Sequence, residues 1–157
     1  MTMFATALAL MAALQAPVEA PAERTAEYHN RQVLYLYALK PAEGWMQTAS
    51  GLRYRRVKGD GTGARPAPTD TVTIHYAGRF IDGAEFDSSI ARGEPATFPL
   101  PRLIKGWQEG VPLMSVGDTF EFAIPAHIAY GLAGKGPIPG GATLLFTIEL
   151  IAIPGQS

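Results

Sequence analysis

Asp87 and Ser88 close the stretch HYAGRFIDGAEFDSS, and with a histidine they are the residue types of a hydrolytic triad. No nucleophile-elbow pattern surrounds Ser88, so the spacing argues against acyl transfer. His29, His75 and His127 are dispersed, no pair has a metal-ligand spacing, and the chain has no cysteine. GDGTG, from Gly59 to Gly63, leads into Ala64, Arg65 and Pro66 rather than a helix start, which makes it a loop and not a phosphate cradle. Trp107, in LIKGWQEGV, is more distinctive. A single tryptophan is ordinarily core, but Tyr76, Phe86, Phe98, Tyr130 and Phe146 lie on separate segments whose apolar faces should converge on it. That is more aromatic surface than one small core needs, and a concave floor for an apolar ligand would use it. Asp87 is then either a turn or cap residue, as an Asp before two serines often is, or a polar group at the rim.

Period-two segments must carry these rings. LRYRRV reads as a first strand; Val72, Ile74 and Tyr76 alternate with Thr71, Thr73 and His75 in a second. Asp82-Gly83 signals a hairpin that returns through Glu85, Phe86 and Asp87. TFEFAI and TLLFTIEL alternate in the same way. Between them, Leu103, Ile104, Trp107 and Val111 fall at helical spacing on one side of a short helix. The expected fold is α+β, a twisted antiparallel sheet wrapped around one short helix that covers its apolar face.

Ahead of this domain, Pro21 to about Lys40 favours helix. Tyr28, Gln32, Tyr35 and Leu39 mark one stripe and Val33, Leu36 and Tyr37 another, although LYLYAL would also suit a strand. The segment is apolar enough to dock on the domain or pair with a second copy. Pro41 ends it, and Ala42 to Ser50 reads as a linker. The first twenty residues carry an apolar run from Phe4 to Leu14, too short to span a bilayer and of signal-peptide length, though without Lys or Arg and with proline after both candidate cleavage points, Ala16 and Ala20. The organisation read here is therefore 1–20 signal peptide, 21–50 helical extension and linker, and 51–157 the main domain. Export to the periplasm or beyond is expected, the alternative being a cytoplasmic chain with an apolar N-terminus.

With 13 basic and 14 acidic residues among 157 and no run of like charge, neither a nucleic-acid partner nor an acidic lipid surface is indicated. No cofactor, metal or stable membrane insertion is expected.

The order of motifs narrows the function. HYAGRFIDGAEFDSS, RGEPATFPLPRLIKGWQEGVPLMSVGD, IPAHIAYG and IPGGATLLFTIEL together resemble the FKBP-type peptidyl-prolyl cis-trans isomerases, from about Ser50 to Ile153 in unbroken order. TASGLRYRRVKGDGTG resembles the lead-in of the family's bacterial exported subset. The resemblance implies that a substrate proline ring rests on Trp107, walled by Tyr76, Phe86, Phe98, Leu103, Ile104, Ile138 and Phe146. It implies that the Tyr130 hydroxyl and the Ile104 N–H hold flanking carbonyls and that Asp87 is the acid at the pocket mouth. Three positions depart from the family pattern: Ala96 where human cytosolic members have an aromatic, Lys105 where bacterial relatives usually have proline, and Gly140-Gly141 in the loop from Leu132 to Ala142. They bear on substrate preference and macrolide affinity. Proline-containing polypeptides are the implied substrates and macrolides possible inhibitors. Other readings are a proline-peptide-binding chaperone with little turnover and a homodimer formed through the N-terminal extension.

Overall fold

The computed structural model describes residues 25–156; the apolar run and the signal-peptide reading lie outside them. Helix α1, Ala26–Tyr37, starts at Thr25, whose hydroxyl accepts the Tyr28 N–H at 3.1 Å as an N-cap. LYLYAL therefore continues a helix instead of forming a strand. Gln32 and Leu36 are buried while Val33, Leu34 and Tyr37 stand in solvent. The second stripe is thus split: Leu36 joins the first stripe on the docked face, while Val33 and Tyr37 face outward.

The expected linker is not free chain. A 3-10 turn at Pro41–Glu43 precedes strand β1, Met46–Gln47, which pairs antiparallel with β2, Arg53–Lys58. Arg55 ties the turn to the sheet: it donates to the Glu43 carbonyl at 2.8 Å, pairs with Glu121 at 2.7 Å and lies 4.7 Å from the centre of the Trp45 ring. A two-residue strand is too short to leave a periodic trace in sequence.

The remaining strands are β3 (Thr71–Arg79), β4 (Glu85–Ser88), β5 (Ala96–Pro99), β6 (Thr119–Ile124) and β7 (Leu144–Ala152). Their order is β1-β2-β6-β7-β3-β4, all paired antiparallel, with β5 also on β3. β4 and β5 share one edge of β3: β4 pairs residues 77–79 and β5 residues 71–74. A four-residue helix α2, Ser89–Arg92, turns the chain between them. β5 ends in a proline, which an edge strand tolerates because one side of its backbone makes no ladder bonds.

Alternation decides the layers. Val72, Ile74, Tyr76, Phe120, Phe122, Ile124, Leu144, Phe146, Ile148 and Leu150 all point to one side and are buried there against helix α3, Lys105–Gly110. That helix sits unusually close to β6. A Cβ on Gly106 would lie 2.5 Å from Ile124 Cγ2 and one on Gly110 2.6 Å from Phe122 Cε1, so glycines four apart let the helix backbone touch the sheet. The glycine-rich loop after β2 is held by Asp118, which is 1% exposed, accepts from Gly61 N and Ser115 N at 3.1 and 3.0 Å, and faces Arg56 at 3.4 Å. Gly59 packs against Asp118 and Gly63 against Val116 O so closely that neither has room for a Cβ.

Candidate functional site

Trp107, 1% exposed, is buried among the inward residues of the sheet. Phe146 meets it edge-on at 5.1 Å between ring centres, Tyr76 at 5.4 Å and Phe98 at 6.1 Å. Phe86 extends the wall, 5.7 Å from Phe146. These contacts join α3 to β3, β5 and β7, with β4 added through Phe86, and the edge-to-face geometry is the one that ring quadrupoles prefer. Leu103, Ile104 and Ile138 belong to the same buried cluster, with Phe86 and Tyr130 packed against it. The Trp107 Nε1–H is buried without a hydrogen-bond partner among the described residues. Gly78 shares the inward face of β3 with Tyr76; a Cβ there would stand 2.7 Å from both Phe146 Cε1 and Phe86 Cζ. The glycine of HYAGRF makes room for two rings.

The polar edge is a chain of three groups. Tyr76 OH donates to Asp87 Oδ2 at 2.6 Å, Arg92 Nη1 donates to Asp87 Oδ1 at 2.7 Å, and Arg92 Nη2 donates to Tyr76 OH at 3.0 Å. The Asp87 side chain is only 6% exposed. Its hydrogen bonds go to Tyr76 and Arg92 and, among the described residues, none goes to a histidine, so the triad reading has no geometry. The capping role goes to its neighbour, for Ser88 Oγ accepts the Ala91 N–H of α2 at 3.1 Å. Ser89, fully buried, accepts Tyr76 N at 2.8 Å and lies 2.9 Å from His75 Nδ1, which fixes β3 against α2. Arg92 was not foreseen from sequence; its position in RGEP, five residues after Asp87, carries a charge but no periodic signal.

Tyr130 follows the 3-10 turn Ala126–Ile128 and is half-buried. Burial, and secondarily the negative charge of Asp87, hold its hydroxyl protonated well above the ordinary tyrosine range. Burial and the hydrogen bond to Asp87 do the same for Tyr76. Both hydroxyls therefore remain donors at neutral pH. Ile138 sits on a tight turn closed by Lys135 N to Ile138 O at 2.8 Å and the reverse bond at 2.9 Å. The Ile104 N–H, just ahead of α3, donates to no group among the described residues. No cluster of three or more His, Asp or Glu able to hold a metal occurs among the described residues.

The structure thus brings together a short helix under a twisted antiparallel sheet, aromatic rings meeting around one tryptophan, and a polar chain at their edge. The family model described as FKBP-type peptidyl-prolyl cis-trans isomerase matches residues 63–151. The chain is 54% identical over 119 residues to "FKBP-type peptidyl-prolyl cis-trans isomerase FkpA" of Aeromonas hydrophila, covering 76% of this chain and 44% of that one. It is 44% identical over 120 residues to "Outer membrane protein MIP" of Legionella longbeachae, covering 76% and 51%. Among solved structures, the peptidyl-prolyl cis-trans isomerase of Pseudomonas syringae pv. tomato superposes with a TM-score of 0.77 at 30% identity, covering 85% of this chain and 98% of that one. This chain belongs to the FKBP-type peptidyl-prolyl cis-trans isomerases. It spans about half the length of the two curated relatives.

Proposed function

We propose that this chain accelerates rotation about X–Pro bonds of polypeptide substrates, with the proline ring on Trp107 between Tyr76, Phe98 and Phe146. The observation that carries this reading is the aromatic enclosure around Trp107 with the Asp87–Tyr76–Arg92 chain at its edge. An X–Pro amide resists rotation by ~18–20 kcal/mol because of its partial double bond, and unaided exchange takes tens to hundreds of seconds. A twisted amide has lost resonance and its oxygen is less negative, so an apolar enclosure disfavours it less than the planar form. Raising ~0.01 per second to ~100 per second needs about 5.5 kcal/mol, within reach of such an enclosure and a few hydrogen bonds. No nucleophile takes part. Tyr130 OH and the Ile104 N–H hold the flanking carbonyls. Asp87, held by Tyr76 and Arg92, orients the rotating amide.

Cis/trans exchange in a Leu-Pro peptide, followed by NMR with the wild-type chain and Trp107→Leu, tests this. Acceleration by the first and at most weak acceleration by the second is expected. A folded wild type that binds the peptide without accelerating exchange would instead make it a proline-peptide-binding chaperone.

The same reading divides the chain into 1–20 signal peptide, 21–50 extension and linker, and 51–157 isomerase domain. Export is supported by the apolar run from Phe4 to Leu14 and by the relative called an outer membrane protein. Among the described residues no helix is long and apolar enough to cross a membrane. Macrolides would enter the Trp107 basin, where half-buried Ala96 leaves one wall without an aromatic. Pairing of two copies through α1 is supported by its outward Val33, Leu34 and Tyr37, which are 49%, 62% and 70% exposed. Light scattering of the chain with and without residues 21–40 tests it; a monomer in both cases rules it out.

A further inference from the structure

We infer that helix α1 sets the position of the 132–142 loop and thereby tunes which residue the pocket prefers before proline, with Gln32 as the positioning residue. This rests on the isomerase reading. Gln32 is 8% exposed and reaches across 111 residues of sequence. Its Oε1 accepts the Thr143 N–H at 2.8 Å, and its backbone carbonyl accepts Thr143 Oγ1 at 3.2 Å. Thr143, itself 2% exposed, is the last residue before β7 and the C-terminal root of the loop. The loop's two roots are joined by Gly141 N donating to Gly131 O at 2.9 Å, next to Tyr130, while Ile138, within the loop, belongs to the buried cluster that holds Trp107.

A second turn of α1 bears on the same root. The His29 ring lies so close to Gly141 that a Cβ there would be 2.7 Å from His29 Cε1, at a backbone φ of +82°. Packing alone does not hold the root. A cavity of about 450 Å3 adjoins it, lined by His29, Gln32, Leu36, His127 and Leu132, and Leu132 is 82% exposed. The Thr143 N–H therefore has Gln32 as its acceptor and space beside it into which the root can shift. A buried donor that loses its partner moves or recruits water, and a shift at Thr143 passes through Gly141 to Gly131, Tyr130 and Ile138.

The experiment compares kcat/KM for Leu-Pro and Ala-Pro peptides in the wild-type chain, Gln32→Met and Gln32→Glu. Misplacement by about 1 Å costs up to roughly 10²-fold; Gln32→Met, which keeps the length and removes the acceptor, is expected to lower kcat/KM by about tenfold or more. It is also expected to change the Leu-Pro to Ala-Pro ratio by about threefold or more. That ratio is independent of the fraction of folded enzyme, so mere destabilisation leaves it unchanged. Gln32→Glu, which retains an acceptor oxygen, should restore the ratio. An unchanged ratio in Gln32→Met overturns the inference; if that variant does not fold, Thr143→Val, which removes only the Oγ1 bond, is held to the same criterion. A wild type inactive on every peptide would refute the isomerase reading alone. Amide exchange at Gly141 and Ile138 then decides: faster in Gln32→Met supports a pinned root, and equal rates overturn it.

Discussion

Replacing Tyr76 by Phe separates the aromatic enclosure from the polar chain that borders it. The ring and its contacts with Phe98, Trp107 and Phe146 persist, and only a hydroxyl is removed. That hydroxyl donates to the Asp87 carboxylate at 2.6 Å and accepts from the Arg92 guanidinium at 3.0 Å, so both of its bonds are charge-assisted. Hydrogen bonds to charged groups contribute about 1.5–3 kcal/mol each, but Asp87 and Arg92 keep their own 2.7 Å bond, which limits the loss to about 1.5–3 kcal/mol for the whole change. For a chain of this size that lowers Tm by roughly 3–10 °C. With the proline platform intact, KM should stay within about threefold, while kcat falls by about tenfold, the equivalent of ~1.4 kcal/mol of lost orientation at Asp87. Thermal unfolding and NMR exchange on one Leu-Pro peptide read both numbers. An unchanged kcat would show that the edge chain only braces the hairpin. A raised KM with constant kcat would instead make the Tyr76 hydroxyl a substrate contact.

Gly78→Ala places a methyl group 2.7 Å from Phe86 and Phe146 and should cost about 1–3 kcal/mol by overpacking, with weaker peptide binding, both measurable by denaturant unfolding and peptide titration. Asp118→Ala leaves the buried Ser115 N and part-buried Gly61 N without their acceptor, while Arg56, more than a third exposed, is rehydrated; about 1–3 kcal/mol of stability should be lost while KM on folded protein is unchanged. Tyr76 and Tyr130 have folded-state pKa values raised by burial, so the stability they contribute is complete below the unfolded tyrosine value near 10 and is lost as pH rises above it. Urea midpoints should therefore fall above pH 10, and less steeply in Tyr130→Phe than in the wild type; equal slopes would show that Tyr130 titrates alike in both states.

The strands legible from alternation were those buried on one face, such as Val72-Ile74-Tyr76 and Leu144 to Leu150; the helix bearing Trp107 was legible from the spacing of Leu103, Ile104, Trp107 and Val111, of which only Trp107 lies within its six residues, the others flanking it. β5 and β1 were not, since four and two residues on a sheet edge contain too few repeats to establish a period. Helix α1 was legible as a helix, but which of its faces docks was not: Leu36 turned inward and Val33 outward because the loop root and the sheet, not the helix itself, supply the opposing surface.

What the sequence by itself determined is the alternating and helical patterning, the family order of motifs and the set of rings around Trp107, because burial selects residue type at each position independently of which partner arrives. Only the tertiary structure decided the partners of the polar groups. Asp87 could have capped α2, yet Ser88 does so and Asp87 bonds Tyr76 and Arg92; Gln32 is bound to Thr143 across most of the chain. A hydrogen bond depends on distance and direction between two atoms, and neither is set until the sheet has closed over the helix.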